Sequence, residues 1–423
     1  MDPSARRRRL PARGWLVALG LGLVASASFP VVATAHHGGR DIGSLFTCDR
    51  PVTPPRCTSV GNSPRHFVVL DATVGEELAS SFRDAMAEDY AGPTVLSMYE
   101  QQAVTAITDV IVYSEDYGDN GAAGWVYCPP DAPQGVNAHG HRWCQRQQLH
   151  LNLNDRYAAF FADDGSRDHV ACHELGHTIG LRHWGNPPQS DGPAAETCMN
   201  ANTPNGPTAL HQFDIDHINA YYADAPMPSR RASLRASRGL ELASGPANRG
   251  AAALAGTMAE ALEAEWYPTI DGMSATADAV VVAEVTSIRP GRTFGGATGA
   301  PLQYAALTLR VDDVLSGGLP SGSSASVTLE LPLYAGTDAL RALGSLRGVN
   351  GVFFLRSKGD ADRVTGLAPE VAVPEVPFYR LLTQDALVLD DDGRTSVVVG
   401  EDGPLDALAG SSYAEAVRRI RDA

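Results

Sequence analysis

Three histidines and a glutamate stand in a pattern typical of a hydrolytic metal site. The segment reads His173-Glu174-Leu-Gly-His177-Thr-Ile-Gly180-Leu-Arg-His183. On a helix, His173 and His177 leave the same face one turn apart, which suits two ligands of a tetrahedral zinc ion. Gly180 lets the helix stop, so that His183 can return as the third ligand. Three protein nitrogens leave a fourth position open to water, as in a catalytic zinc site.

Glu174 has the position of a general base. It follows the first ligand directly, so its carboxylate projects beside the metal rather than into it. From there it can take a proton from a zinc-activated water and pass it to the leaving amine. The sequence therefore predicts a zinc metalloendopeptidase, a hydrolase that cuts peptide bonds in protein or peptide substrates.

This pattern, H-E-x-x-H-x-x-G-x-x-H, resembles that of the metzincins, a clan of zinc endopeptidases, and the resemblance covers residues 65–223. It implies an α+β catalytic domain with a mixed twisted sheet, an active-site helix, a Met-turn and a C-terminal helix. Met199 stands where the clan has a methionine that lies beneath the histidines without binding the metal. Several metzincins have a tyrosine two residues later, and here that position is Ala201. Transition-state stabilisation would then come from zinc, Glu174 or another donor.

The cysteines all lie in the first half of the chain, and in an exported protein they are expected to form disulfides. Their order and spacing favour three local pairs: Cys48–Cys57, Cys128–Cys144 and Cys172–Cys198. The last pair would join the residue before His173 to the residue before Met199. Pro55-Arg56-Cys57 is similar to the pro-peptide segment whose cysteine blocks the zinc of matrix metalloproteases, but the even number of cysteines favours a disulfide.

Strands and helices alternate around the motif. A helix is predicted over 167–181 and another from Asp214, as its N-cap, to Tyr222. A further helix is predicted at 76–89, and strands at 66–70, 94–99, 109–113, 125–128 and 148–154. In the last strand, apolar Leu149 and Leu151 alternate with polar His150 and Asn152. That alternation indicates a half-buried edge strand with which an extended peptide could pair before cleavage.

The first 35 residues predict a secretory signal peptide. Arg6–Arg9 and Arg13 form a basic segment, an apolar run follows, and Ala33-Thr34-Ala35 fits a cleavage site. No later run approaches the length of a membrane-spanning helix. We therefore expect a secreted protein without stable membrane insertion. The abundance of arginine over lysine, of which Lys358 is the only one, indicates a bacterium with a GC-rich genome.

Composition excludes several classes of protein. The chain has 423 residues, of which 44% are hydrophobic and 19% charged, enough apolar material for a folded core. Its formal net charge is -16, which argues against general binding to nucleic acid phosphates. The length suggests two or three domains.

The predicted domain organisation has five parts. They are a signal peptide (1–35), a Cys- and Pro-rich N-terminal segment (36–64), the zinc protease domain (65–223), an Arg-, Ala-, Ser- and Gly-rich linker (224–266) and a β-rich C-terminal domain (267–423). A short helix is predicted at 258–266. The last part has short apolar runs at 280–282, 307–311, 327–331, 352–355, 387–389 and 397–399, which predict a small barrel or a sandwich. Residues 412–421 predict a closing helix.

Two further interpretations stay open. Asp116, Asp119 and Asn120 form a Gly-flanked acidic loop that is a candidate for structural calcium, although a turn explains it as well. As alternatives to endopeptidase activity, the chain could be a zinc-bearing extracellular adhesion or binding protein, or a zinc amidase acting on cell-wall peptides.

Overall fold

A computed structural model describes residues 61–129, 131–136, 142–183, 196–200, 205–223, 254, 260–296, 301–319, 326–334, 337–358, 378–397 and 403–423. The predicted signal peptide, Cys48, Cys57, Ala201 and most of the predicted linker lie outside these residues. None of the described helices is long and apolar enough to cross a membrane.

The first part of the fold is built on a mixed sheet. Its strands, with one separate hairpin (β5 and β6), are β1 Arg65–Leu70, β2 Ser97–Gln101, β3 Val110–Glu115, β4 Ala122–Tyr127, β5 Gln134–Val136, β6 Arg142–Cys144, β7 Gln147–Asn152 and β8 Glu260–Glu263. The sheet has the order β2-β1-β3-β7-β4-β8. Pairing is parallel from β2 to β7 and antiparallel at β4 and β8. The mixed sheet expected from the sequence is therefore present.

Three helices complete this part. They are α1 Glu76–Asp84, which continues as a π-helical turn over Ala85–Ala91, α2 Asp164–Thr178 and α3 Gln212–Ala223. Phe82 of α1 and Leu175 of α2 are completely buried in one core with Val112 and Leu149 of the sheet. Burial of these side chains fixes α2 against the sheet and so positions the histidine motif.

Two sequence predictions about strands are wrong. β7 is an inner strand between β3 and β4, not an edge strand. Its polar residues are buried because they have partners inside the protein: the Asn152 amide accepts from Tyr117 N–H and donates to Gly118 O. The helix predicted at 258–266 is also absent, because Glu260–Glu263 pairs with β4. Tertiary pairing overrides the helical propensity of its Ala and Glu residues.

The C-terminal part is a small barrel. Its strands are β9 Ala279–Phe294, β10 Leu302–Gly317, β11 Ser326–Pro332, β12 Asn350–Ser357, β13 Phe378–Leu381, β14 Leu387–Asp391 and β15 Arg394–Val397. The sheet order is β13-β11-β10-β9-β12-β14-β15, and an additional β13–β12 pairing closes a ring of five strands. Only β11 and β13 pair in parallel. This is the strand order of an OB-fold barrel.

Each apolar run predicted in the C-terminal part lies on a strand, whereas β13 was not predicted. The short helices here are α4 Ile270–Thr276, α5 Thr337–Leu343 and α6 Tyr413–Arg421. The helix predicted at 412–421 therefore corresponds to α6. Closure of the ring decides between the two architectures expected from the sequence, in favour of a barrel.

An aromatic cluster joins the barrel to β4 and the loop before it. Tyr117 and Trp125 of the first part share a buried cluster with Phe294, Tyr304 and Tyr334 of the barrel. The hydroxyl of Tyr304 donates to the carbonyl of Tyr117 at 2.7 Å, and the rings of Trp125 and Tyr334 lie 5.2 Å apart. The barrel therefore packs directly on the strand next to β8.

His150 of β7 makes the stability of this region sensitive to pH. Its ring stacks on Trp125 with centroids 5.0 Å apart, and burial lowers the pKa of His150 to about 3. The unfolded chain takes up this proton near pH 6.5, so acid favours unfolding. Below pH 6.5 we expect this residue to lower the free energy of unfolding by about 1.4 kcal/mol per pH unit.

The measurement is urea denaturation at pH 7 and pH 5 of the wild type and of His150→Phe, which keeps a stacked ring. The wild type should lose more stability than the variant on acidification. Equal losses in the two proteins would contradict the assignment to His150.

Candidate metal centre

Helix α2 carries the motif and is held at both ends by local contacts. At its start, the carboxylate of Asp163 accepts from the backbone N–H and the hydroxyl of Ser166, both at 2.8 Å. At its end, Gly180 has a φ of 100° and Leu181 N–H donates to Gly176 O. This left-handed residue stops the helix, as the sequence predicts, and turns the chain towards His183.

The three histidines of the motif converge. Nε2 of His177 lies 3.0 Å from Nε2 of His173 and 3.1 Å from Nε2 of His183. All three side chains are buried, and their ligand atoms lie within 4.8 Å of one another. Within the described part of the chain, this is the one group of three metal-ligating side chains.

Carbonyl groups orient two of the three rings. Nδ1 of His173 lies 2.8 Å from Cys198 O, and Nδ1 of His177 lies 2.9 Å from Leu181 O. A carbonyl oxygen only accepts hydrogen bonds, so each Nδ1 carries the hydrogen and each Nε2 keeps its lone pair. Both lone pairs therefore face the centre of the site.

This arrangement fits a zinc ion. Two lone pairs 3.0 Å apart repel each other unless a cation lies between them. Burial, with the neighbouring His177 and His183, holds the pKa of His173 well below its usual range, so the ring is in the neutral form that binds metals. Imidazole nitrogens are common zinc ligands, and zinc–nitrogen bonds of about 2.0–2.1 Å separate tetrahedral ligands by about 3.3 Å.

Glu174 lies directly beneath β4. Its side chain is completely buried. A Cβ atom built on Gly124 of β4 would lie 2.5 Å from Oε1 of Glu174 and 2.8 Å from its Cδ. The missing side chain at Gly124 therefore makes room for the carboxylate. Glu174 is placed between the ligand helix and the strand that crosses above it.

The turn at Met199 packs against the ligand helix. A Cβ atom on Gly176 would collide with Sδ of Met199 and lie 2.9 Å from the hydroxyl of Tyr90. The hydroxyl of Tyr90 donates to Cys172 O at 2.5 Å. The Cys172–Cys198 disulfide is formed, as is Cys128–Cys144. The turn and the helix are thus joined by a covalent bond as well as by packing.

Helix α3 supports the same turn. The prediction that Asp214 is its N-cap is wrong, because the helix begins at Gln212. Instead, the buried carboxylate of Asp214 accepts from the hydroxyl of Thr197 at 2.6 Å and from His211 N–H at 3.2 Å. The Thr197 hydroxyl in turn accepts from Met199 N–H. Asp214 therefore fixes both the start of α3 and the turn before it.

The comparisons with known proteins find little beyond the geometry. No protein-family model matches this chain, and no curated protein matches its sequence. Among solved structures, it is similar to High choriolytic enzyme 1, a hatching enzyme zinc-protease from the medaka fish Oryzias latipes. The identity is 14%, the match covers 38% of this chain and 90% of that chain, and the TM-score is 0.23. At this TM-score the likeness carries no argument.

Three residues near the site were missed in the sequence. Gly124 and Tyr90 come from distant segments, and no local pattern connects them to α2. His169 could have been found, because it stands one turn before His173 on the same helix. It is buried, and its Nδ1 lies 2.7 Å from Pro207 O.

The acidic loop considered for calcium uses its oxygens as hydrogen-bond acceptors. Asp119 accepts from the Tyr157 hydroxyl and from Arg380 Nε, both at 2.6 Å. Asn120 Oδ1 accepts from Ala122 N–H, and Asp116 Oδ1 from Gly118 N–H. The turn interpretation explains these contacts, and Asp119 links the loop to the barrel.

Proposed function

We propose that this chain is a secreted zinc endopeptidase of the metzincin type. The observation that carries the proposal is the set of three buried imidazoles, His173, His177 and His183, which converge beside the carboxylate of Glu174. Three protein ligands suit a catalytic zinc ion better than a closed structural one. The Cys128–Cys144 and Cys172–Cys198 disulfides support an oxidising compartment.

The roles of the residues follow from their positions. A bound zinc ion would supply a Lewis acid that polarises a peptide carbonyl and lowers the pKa of water. Glu174 would accept the proton of the attacking water and deliver it to the leaving amine. Met199 would support the helix turn that carries the ligands. The carbonyls of Cys198 and Leu181 hold the His173 and His177 rings in the tautomer that metal binding needs.

Metal analysis combined with cleavage assays tests this function. We expect about one zinc ion per wild-type chain, chelator-sensitive cleavage of a peptide library, and loss of both zinc and cleavage in His177→Ala. His211→Ala, outside the triad, is the control that should keep its zinc. Zinc without cleavage by any form of the chain would instead support a binding protein, and selective digestion of peptidoglycan would support a cell-wall amidase.

A further inference from the structure

The outer edge of β4 is the side on which an extended peptide would pass Glu174. Its inner edge is taken by β7, and Gly124 lies directly above the Glu174 carboxylate. Backbone groups on an exposed strand edge bind extended peptides by adding a strand. Here that edge is already occupied by β8, which runs antiparallel to β4.

The register of β8 places Leu262 at the centre of the site. Leu262 pairs with Gly124, and Ala261 with Trp125. Leu262 is completely buried in the core that contains Leu175 of α2, whereas Ala261 belongs to the aromatic cluster with the barrel. Just after the strand, Ala264 N–H donates to Gly121 O at 2.7 Å. β8 therefore lies along β4 with an aliphatic side chain directed towards the ligand helix.

The barrel holds the end of β8 by polar contacts. Glu263 Oε1 accepts from Gln384 N–H at 3.0 Å. The carboxylate of Glu265 pairs with Arg356 and with Arg380, each at 2.5 Å. Arg380 also pairs with Asp119 at 2.6 Å, so the same guanidinium connects the loop before β4 to the segment after β8. These contacts attach β8 to both of its neighbours.

The site itself is closed to solvent in this arrangement. Glu174, His173 and His177 are completely buried, and His183 is 8% exposed. A peptide substrate needs access to the metal and to Glu174, and it also needs a free strand edge. The described conformation offers neither.

We propose that β8 is an internal pseudo-substrate that occupies the peptide-binding edge of β4, and that the barrel holds it there. The chain is then latent until β8 leaves the edge. This inference rests on the proposed peptidase function, because it names the regulation of the same site. It also gives the barrel a role as a clamp on the inhibitory strand.

Two substitutions should release β8 by different means. Leu262→Asp places a carboxylate in an apolar core, which disfavours the docked strand. Glu265→Ala removes the carboxylate that Arg356 and Arg380 share, while Arg380 keeps Asp119 and Arg356 keeps Asp278. Asp278→Ala is the matched control, because it also removes an Arg356 partner but touches neither β8 nor β4 in the described contacts.

Cleavage and binding are measured on the full zinc-loaded chain. The cleavage substrate is unfolded casein. The binding probe is a fluorescent peptide with the sequence of residues 258–266, tested in a Glu174→Gln background so that it is not cut. We expect both release variants to cleave casein at least about tenfold faster than the wild type and to bind the peptide. The wild type and Asp278→Ala should do neither to a comparable extent.

The outcomes separate this inference from the proposed function. Peptide binding by the release variants without any cleavage would keep the pseudo-substrate and overturn the peptidase. Equal cleavage by the wild type and the release variants would keep the peptidase and overturn the pseudo-substrate. The pseudo-substrate is also overturned if folded release variants do not bind the peptide. If Leu262→Asp does not fold, as judged by circular dichroism, Glu265→Ala decides the test.

Discussion

Glu174→Gln is expected to bind zinc like the wild type and to lower kcat by about 10²–10⁴-fold, the usual contribution of a general base. Glutamine has nearly the shape of glutamate, so the pocket beneath Gly124 stays filled. It lacks the basic carboxylate, however, and cannot take a proton from water at neutral pH. The histidine ligands and their carbonyl partners at Cys198 and Leu181 are unaffected.

The substitution is made in the wild-type chain and in the Glu265→Ala chain, so that a docked β8 does not hide the effect. Zinc content is measured by elemental analysis and kcat with a peptide substrate. Glu77→Gln, on the exposed side of α1, is the matched control and should leave kcat unchanged. A fully active Glu174→Gln enzyme would show that another group takes the proton.

Local spacing in the sequence is enough to predict the metal ligands. His173 and His177 are brought together by one helical turn, and Gly180 redirects the chain within a few residues of them. The geometry therefore depends on short-range backbone rules that any such segment obeys. The same holds for the Cys172–Cys198 pair, in which each cysteine precedes a residue of the site.

Pairing between distant segments is what the sequence does not reveal. The residues of β8 have the composition of a helix, and they form a strand only because β4 offers an edge. The alternation in β7 indicates an edge strand, yet its polar residues are satisfied inside the protein by Tyr117 and Gly118. Strand β13 is too short and too mixed in polarity to be recognised without its neighbours β11 and β12. In each case the deciding contact comes from another part of the chain.

The junction with the barrel adds a second constraint that sequence reasoning could not supply. Arg380 is almost completely buried, and its charge is matched by Asp119 on one side and Glu265 on the other. A buried guanidinium needs such partners, because an uncompensated charge in the interior is strongly destabilising. This requirement couples the barrel to the loop before β4 and to the end of β8. The position of β8 is thus determined by both parts of the fold.

Gly124→Ala should lower kcat by about 10²-fold while zinc stays bound, because a displacement of about 1 Å can misplace a reacting group. The new methyl group would lie 2.5 Å from Oε1 of Glu174, so the carboxylate must move. Overpacking a buried site also costs about 1–3 kcal/mol of stability. The mechanism predicts a loss in kcat that greatly exceeds any loss in zinc affinity.

Gly75→Ala is the control for this substitution, since a Cβ atom there meets nothing within 4 Å. Kinetics are measured in the Glu265→Ala background, together with zinc content and urea denaturation. A pH profile of kcat separates a displaced base from a merely less stable fold, because only displacement of Glu174 changes the acid limb of the profile. If Gly124→Ala keeps the kcat and the pH profile of its parent, then the Glu174 carboxylate does not act from its place beneath β4. Reduced kcat with a shifted acid limb and unchanged zinc would instead identify Gly124 as the residue that positions the base.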